Sequence, residues 1–214
     1  MDNQNPRRMI VGISGASGII YGKRMLEALR ELGVETHLVM SNAARLTMAH
    51  ETAFGPRDLE KIADVTHSNK DIGAACASGS FRTMGMVIAP CSVKTMAEIA
   101  CGTTTSLLAR SADVVLKERR KLVLMVRETP LHLGHLRNMV SVTEMGAIVY
   151  PPVPAFYARP ESLDEMVDHT VGRVLDLFDL DTGKVHRWTG ERPQAPGVGA
   201  GAVQISRKGL LITS

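Results

Sequence analysis

The stretch "GISGASGIIYG", residues 12–22, decides the fold class of this chain. Its four glycines and two serines directly follow a short apolar run, Met9 to Val11. Glycines allow the backbone to turn sharply from a strand into a helix and to approach a phosphate closely. The stretch therefore predicts a strand, a tight turn and a helix. The turn is either an anion site or, on the plainer interpretation, only a connection.

Strand-like and helix-like patterns alternate beyond this start. The apolar strand-like runs are Met9–Ile13, Val34–Met40, Met86–Ala89, Leu122–Val126 and Ala147–Tyr150. Helical periodicity separates them, as at Met25–Leu32, Leu108–Val115 and Leu133–Val140, and Ser162 to Glu165 has the form of a capping box before a last helix. That helix should bury Val167, Val171, Val174, Leu175 and Phe178. The alternation predicts an α/β fold: a Rossmann-like, doubly wound, mainly parallel sheet in a single domain over residues 1–190.

Residues 191–214 have a different composition. They are rich in proline, glycine and alanine and show no helical period. We expect a flexible C-terminal extension, with a short final strand over Gly209–Ile212.

Composition narrows the class of protein. The chain has 214 residues, a net charge of +3, and a densest basic run, Lys117 to Lys121, that contains an acid and no aromatic residue. This pattern argues against nucleic-acid binding. The polar start and the short apolar runs predict neither a signal peptide nor a membrane span. Three cysteines without metal-ligand spacing are typical of reduced thiols, so we expect a cytoplasmic protein without a bound metal.

The glycine turn does not match the common nucleotide motifs. Its spacing is not G-x-G-x-x-G, and the second strand ends in Met40-Ser41 instead of an acid that would hold a ribose hydroxyl. No Gly-Lys-Ser/Thr follows, so it is not a P-loop. NAD and ATP are therefore disfavoured. The hydroxyls of Ser14 and Ser17 suit a small terminal phosphomonoester.

Two further loops follow predicted strands. One is "APCSVKT", residues 89–95, and the other begins with Arg127 and Glu128. Loops after the carboxyl ends of parallel strands converge on one crevice. Glycines, hydroxyls and a guanidinium together predict a site for a phosphate-bearing cofactor, although Ser92 is also typical of a helix N-cap.

These segments together resemble the UbiX family of flavin prenyltransferases, and within it the members encoded beside phenolic-acid decarboxylases. The matching stretches are collinear over about residues 9 to 188 and include "GISGASGIIYG", "HLVMSNAARLTMAHET", "SGSFRTMGMVIAPCSVKTMAEIA", "ARSADVVLKERRKLVLMVRETPL", "HLRNM", "PPVPAFYARPESLDEMVDHTVGRVLD" and "RW". The resemblance implies a homo-oligomer, often a dodecamer, that binds FMN. It also implies metal-independent transfer of a dimethylallyl group from dimethylallyl monophosphate to N5 and C6 of reduced FMN. The prenylated FMN would serve a UbiD-type decarboxylase.

The resemblance also implies site residues. Contacts to FMN fall on Gly15, Ala16, Ser17, Ser41, Ser92, Val93, Lys94, Thr95 and Arg127. Contacts to dimethylallyl monophosphate fall on Ser78, Lys117, Tyr157 and Arg173. The catalytic set is Ser17, Glu51, Lys117 and Glu128. Lysine and arginine would stabilise the departing phosphate, and Glu51, Ser17 or the released phosphate would take part in proton transfer.

Each of these residues has an ordinary structural interpretation. Lys117 suits the C-terminus of a helix, Arg173 can extend from an apolar helix into water, Glu51 can end a helix, and Tyr157 can pack beside a proline. The chain also departs from the family pattern at "GTTTS", residues 102–106, at Val126 where proline is common, and near Ile72, where some members have tryptophan.

Two other functions compete with prenyl transfer. One is a flavin-dependent decarboxylase, such as the cysteine decarboxylases of similar fold, but the chain lacks their Pro-x-Met-Asn motif. The other is a non-catalytic, FMN-carrying subunit of a decarboxylase complex. A set of charged residues and one tyrosine favours catalysis over FMN binding alone: Glu51, Lys117, Arg127, Glu128, Arg173 and Tyr157.

Overall fold

The computed structural model describes residues 7–188 and residue 190. In chain order the elements are β1 (Arg8–Ile13), α1 (Ile19–Glu31), β2 (Glu35–Met40), α2 (Asn42–Glu51), α3 (Pro56–Ile62), β3 (Val65–His67), β4 (Gly85–Cys91), α4 (Val93–Ala100), α5 (Leu107–Lys117), β5 (Lys121–Val126), α6 (Leu133–Glu144), β6 (Ile148–Val149) and α7 (Leu163–Asp176).

The six strands form one parallel sheet in the order β3-β2-β1-β4-β5-β6. The order reverses beside β1, where Gly12 pairs with Val39 of β2 on one side and with Ile88 of β4 on the other. In open α/β sheets this switch point opens a crevice at the carboxyl ends of the strands. The predicted α/β fold is confirmed, and the crevice lies directly beside the glycine turn.

Alternation of side chains along the strands builds a core on each face of the sheet. Met9, Val11 and Ile13 of β1 pack into the cluster that α1 and α7 cover, whereas Ile10 packs into the cluster under α4 and α5. The predicted stripe of α7, from Val167 to Phe178, is buried in the first cluster. Helices on both faces make the sheet doubly wound.

Several elements depart from the sequence expectations. The edge strand β3 was not predicted. Its three residues are partly or fully exposed and do not form an apolar run. Helix α6 forms as predicted, but its periodic residues Leu133, Leu136 and Val140 are exposed, and Val142 is its buried residue. Ser162 caps α7 by accepting the N–H of Glu165, while the Glu165 carboxylate accepts the N–H of Glu161, one residue before the cap.

The predicted boundary at residue 190 stays a prediction, because the extension 191–214 and its strand Gly209–Ile212 lie outside the described residues. Among the described helices, none combines the length and the apolar character that a membrane crossing requires.

Candidate functional site

Three loops meet at the carboxyl edge of the sheet, after β1, β4 and β5. They enclose a cavity of about 310 Å³ lined by Gly15, Ala16, Ser17, Ala43, Ser92, Val93, Lys94, Arg127 and Glu128. The backbone N–H of Arg127 donates to the carbonyl of Cys91 at 3.1 Å, which ties the third loop to the second. The convergence expected of parallel strands therefore brings together most of the residues predicted to bind FMN.

A second cavity of about 300 Å³ continues the first. It shares Gly15, Ala43, Ser92 and Lys94 with the first cavity and extends to Ser41, Asn42, Asn69, Thr95, Glu98, Ser106 and Leu108. We call the two together the flavin groove, and each is as large as an ordinary small-molecule site. A larger cavity, about 520 Å³, lies farther out beside β3, but neither the glycine turn nor the loops after β4 and β5 line it.

Two helices begin at the flavin groove. Ser41 caps α2 by accepting the N–H of Ala44 at 3.0 Å, and Ser92 caps α4 by accepting the N–H of Thr95 at 3.2 Å. The N-cap interpretation of Ser92 is thus correct. It is compatible with anion binding, because helix N-termini present backbone N–H groups and a partial positive charge. Together with Arg127 and Lys94, these helix starts make the groove suited to a phosphate.

Ser14 does not serve the phosphate role expected of its hydroxyl. It is fully buried, donates to the carbonyl of Pro90 at 3.0 Å and accepts the N–H of Ser92 at 2.7 Å. These bonds fasten the glycine turn to the loop after β4. The expectation fails because a hydroxyl next to a buried strand is held by the backbone of the neighbouring strand, which sequence spacing does not reveal.

Glu51 lies at the N-terminus of α1, against the glycine turn. Its Oε2 accepts the N–H groups of Gly18 at 2.9 Å and Ile19 at 3.2 Å. Burial tends to raise the pKa of this carboxyl. The hydrogen bonds from Ser17, Gly18 and Ile19, together with the charge of Arg127, outweigh that effect and lower the pKa below 4.5. Glu51 is therefore held as a carboxylate beside Ser17 and Arg127.

Tyr157 and Arg173 lie near each other, beside α7 and Tyr150. The Tyr157 ring packs edge-on against His169 and Trp188, with centroids 5.8 and 5.9 Å apart. Burial raises the pKa of Tyr150, just after β6, while the nearby charge of Arg173 lowers it and Tyr157 and Tyr21 raise it. Tyr21 belongs to the first turn of α1, next to the glycine turn. The two predicted prenyl-phosphate residues thus form an aromatic and cationic group beside Tyr150, and the end of α7, one turn beyond Arg173, reaches Lys121 at the start of β5.

Ser78 and Lys117 lie at the amino edge of the sheet, opposite the flavin groove. Lys117 ends α5 just before β5 begins, and a Cβ on Gly79 would come 2.7 Å from its Nζ, which places it against the loop that starts at Ser78. The Lys117 ammonium pairs with Glu118 at 2.5 Å. Arg120 fixes the loop by donating to the carbonyls of Gly79 and Phe81. Six residues of β5 separate this group from Arg127, roughly 20 Å at 3.3 Å per residue.

Sequence reasoning missed several residues of the flavin groove, among them Asn42, Ala43 and Asn69. Asn69 follows the unrecognised β3, and its Oδ1 accepts the N–H of Leu108 at 3.0 Å while its carbonyl accepts that of Leu107. No sequence signal could have found this contact, because Leu108 lies 39 positions from Asn69 along the chain. Cys91 is buried, as expected, and burial raises the pKa of its thiol.

Known proteins share the sequence and the fold of this chain. The Flavoprotein family model matches residues 1–175, which include every loop of the flavin groove. The flavin prenyltransferase UbiX of Thauera aromatica is 58% identical over 183 residues, which are 86% of this chain and 94% of the relative. The crystal structure of AnUbiX (PadA1) in complex with FMN and dimethylallyl pyrophosphate is 52% identical. It has a TM-score of 0.86 and covers 87% of this chain and 99% of its own. A dodecameric FMN-dependent Ubix-like decarboxylase from Escherichia coli O157:H7 is 50% identical, with a TM-score of 0.83, and covers 86% of this chain and 100% of its own.

Proposed function

This chain belongs to the UbiX family of flavin prenyltransferases, and from that premise we propose that it transfers the dimethylallyl group of dimethylallyl monophosphate to reduced FMN. The observation that carries the proposal is the flavin groove, where two helix N-termini, hydroxyls and Arg127 converge at the switch point of the sheet. The relative AnUbiX was crystallised with FMN and a dimethylallyl phosphate ester, which supports both ligands.

The residues of the flavin groove fit FMN. Gly15 packs so closely on α2 that a Cβ there would come 2.4 Å from the Cβ of Ala43, so the turn and the start of α2 form one continuous wall. Ser41, Ser92 and Thr95 would hold the phosphate end through the helix starts, and Arg127 would lie near the ring end, beside Glu51. Reduced FMN, when bound, supplies the electron-rich N5 and C6 positions that accept the prenyl carbons.

The charged side chains serve the prenyl donor. Breaking its allylic C–O bond sends both bonding electrons to the phosphate oxygen and leaves an allyl cation. Arg173 would stabilise the phosphate, and the Tyr157 ring would present an aromatic face to the cation. Ser17 and Glu51, which share a hydrogen bond, would take up the proton released in ring closure. Because the pKa of Glu51 is lowered, it would receive the proton as a relay from Ser17 instead of acting as a strong base.

Ser78, Lys117 and Glu128 are assigned to the same phosphate. Glu128 lines the flavin groove, but Ser78 and Lys117 lie at the other edge of the sheet. We infer that they reach the prenyl phosphate of a neighbouring copy in a homo-oligomer, by analogy with the dodecameric relative. The exposed apolar residues of α6 give the surface that such an assembly would cover.

The product would serve a separate enzyme. We propose a UbiD-type decarboxylase as the recipient and the cytoplasm as the compartment, which suits the free thiols of Cys76 and Cys91. The relative from Escherichia coli O157:H7 is an FMN-dependent Ubix-like decarboxylase, which supports flavin-dependent decarboxylation as a second candidate function.

The deciding experiment is anaerobic incubation with reduced FMN and dimethylallyl monophosphate, followed by mass spectrometry of the flavin. We expect a gain of one five-carbon prenyl unit without added metal. An unchanged flavin mass would contradict the proposal. In a parallel assay, phenolic acid should lose carbon dioxide only when an apo UbiD-type decarboxylase is added. Decarboxylation by this chain alone would support the second function instead.

A further inference from the structure

The segment from Asp181 to Trp188, which we call the C-terminal strap, packs along α7. Helix α7 receives it at Gly172, where a Cβ would come 2.5 Å from Val185 and 2.8 Å from the hydroxyl of Thr182. The Nε2 of His169 lies 3.4 Å from the carbonyl of His186. The absence of a side chain at Gly172 therefore lets the strap lie directly on the helix that carries Arg173.

The strap delivers Arg187 to the carboxylate of Asp176. Its two terminal nitrogens donate to Asp176 Oδ2 at 3.1 Å and to Oδ1 at 3.0 Å, which is a two-bond fork. Arg173, one turn earlier in α7, donates to Oδ2 at 2.7 Å. The Asp176 side chain is 17% exposed, whereas those of Arg173 and Arg187 are 44% and 53% exposed. One largely covered carboxylate thus holds two guanidinium groups.

The charges of this triad do not cancel. Asp176 and Arg173 alone would form a neutral pair, with little attraction left for an anion. Arg187 occupies both oxygens of Asp176 and also pairs with Asp181 at 3.3 Å, so Asp176 is shared between two guanidinium groups and does not neutralise Arg173 alone. Arg173 donates to Asp176 through one terminal nitrogen, which leaves its other N–H groups as donors for a second acceptor.

We propose that Arg187 of the strap is a positioning residue: by sharing Asp176 it orients Arg173 and preserves its charge for the phosphate of the prenyl donor. This inference rests on the proposed function, which assigns that phosphate to Arg173. Arg187 itself bonds Asp176 and Asp181 and acts through Arg173.

The test measures binding apart from turnover. Protein loaded with oxidised FMN is titrated calorimetrically with dimethylallyl monophosphate, for wild type, Arg187→Met, Arg187→Lys and Arg173→Ala. Lys184→Met is the matched control, because Lys184 belongs to the strap but pairs with Glu31 and Asp168 instead of Asp176. FMN affinity and the melting temperature are recorded for each variant, since a merely structural role would shift these as well.

We expect Arg187→Met to weaken binding of the prenyl phosphate about tenfold or more, in the direction of Arg173→Ala. Arg187→Lys, which keeps the charge but not the fork, should fall between, and Lys184→Met should match wild type. FMN affinity should stay unchanged throughout. Wild-type affinity in both Arg187 variants, with weakened binding in Arg173→Ala, would overturn the inference and leave the proposed function intact. Conversely, if wild type binds the prenyl phosphate through this triad but never alkylates reduced FMN, the proposed function fails alone.

Discussion

The two edges of the sheet carry similar side chains but differ in what one chain can build from them. At the carboxyl edge, the glycine turn, two capped helix starts, Arg127 and Glu51 are joined by hydrogen bonds within the chain. At the amino edge, Lys117 and the loop at Ser78 form a cluster of their own, a strand's length away. Both groups were assigned to one reaction. Under the proposed function, one chain builds the flavin half of the site, and Ser78 and Lys117 reach the prenyl phosphate only from a second copy.

The largest effect on activity should come from replacing one cation of the prenyl-phosphate site at a time. Lys117→Met should lower prenyl transfer by roughly a hundredfold or more, because it removes a preorganised charge from the departing phosphate, and Arg173→Ala should do the same. FMN binding should survive in both. The measurement is the rate of flavin prenylation under anaerobic conditions.

Mixing the two variants sharpens this comparison. If Lys117 and Arg173 of different copies share a site, oligomers refolded from both variants contain some sites with both groups intact. These mixed oligomers should regain a measurable part of the wild-type rate. Mixtures no more active than either variant alone would show that the two edges do not cooperate between copies.

A smaller effect is expected from replacing one glycine by alanine at each edge of the sheet, Gly15 at the carboxyl edge and Gly79 at the amino edge. A Cβ on Gly15 would come 2.4 Å from the Cβ of Ala43 and 3.1 Å from its backbone, neither of which can move without shifting α2. Gly15→Ala should therefore cost about 1–3 kcal/mol of stability and weaken FMN binding. A Cβ on Gly79 meets the ends of Glu118 and Lys117, which can rotate away.

Gly79→Ala should keep its stability and FMN affinity and should raise only the KM for dimethylallyl monophosphate, a few-fold, as Lys117 is displaced. Chemical denaturation, FMN titration and steady-state kinetics measure these quantities. A loss of FMN binding in Gly79→Ala would mean that the two edges are not separate in the way described.

The same contrast shows what sequence could and could not predict. Apolar runs predicted the strands that build the sheet, because buried parallel strands are continuously hydrophobic. They missed β3, which is short and exposed at the sheet edge. The loops after β1, β4 and β5 were predictable as one site from their strand ends. That Lys117 precedes β5 was also readable, and it already places this residue at the amino edge.

Long-range hydrogen bonds were not readable from sequence. Glu51 contacts Gly18 across 33 positions, and Ser14 contacts Ser92 across 78. Spacing along the chain carries no trace of either bond. The exposure of the apolar residues of α6 was not readable for a related reason: a helical apolar period predicts a covered face, but it does not say whether the same chain covers it.

The smallest effect on turnover is expected from replacing a carboxylate that lies at the start of a helix. The chain offers two such carboxylates for comparison. Glu51 accepts N–H groups at α1, beside the flavin groove, and Asp58 accepts the N–H of Gly55 at α3, outside it. Glu51→Gln keeps the shape but removes the charge and the capacity to take a proton from Ser17. We expect turnover to fall about tenfold, which is a modest contribution for proton transfer, because the lowered pKa already makes Glu51 a weak base. Asp58→Asn should turn over like wild type.

The pH dependence of stability separates the two roles of Glu51. The folded pKa lies below the ordinary value of 4.5, so its contribution to stability is complete above that pH and is lost as the pH falls through the folded pKa. Glu51 is mostly exposed, so after discounting for solvent screening the contribution is on the order of 1 kcal/mol or less. Glu51→Gln should therefore lose slightly less stability than wild type between pH 5 and pH 3, on the order of that same amount. Denaturation at several pH values measures this, and Asp58→Asn should shift in the same direction, since the N–H of Gly55 is the main cause of the lowered pKa of Asp58. Equal turnover in Glu51→Gln and wild type would leave Glu51 with its capping role only, and the carboxyl edge would then bind the flavin without supplying a proton acceptor from α2.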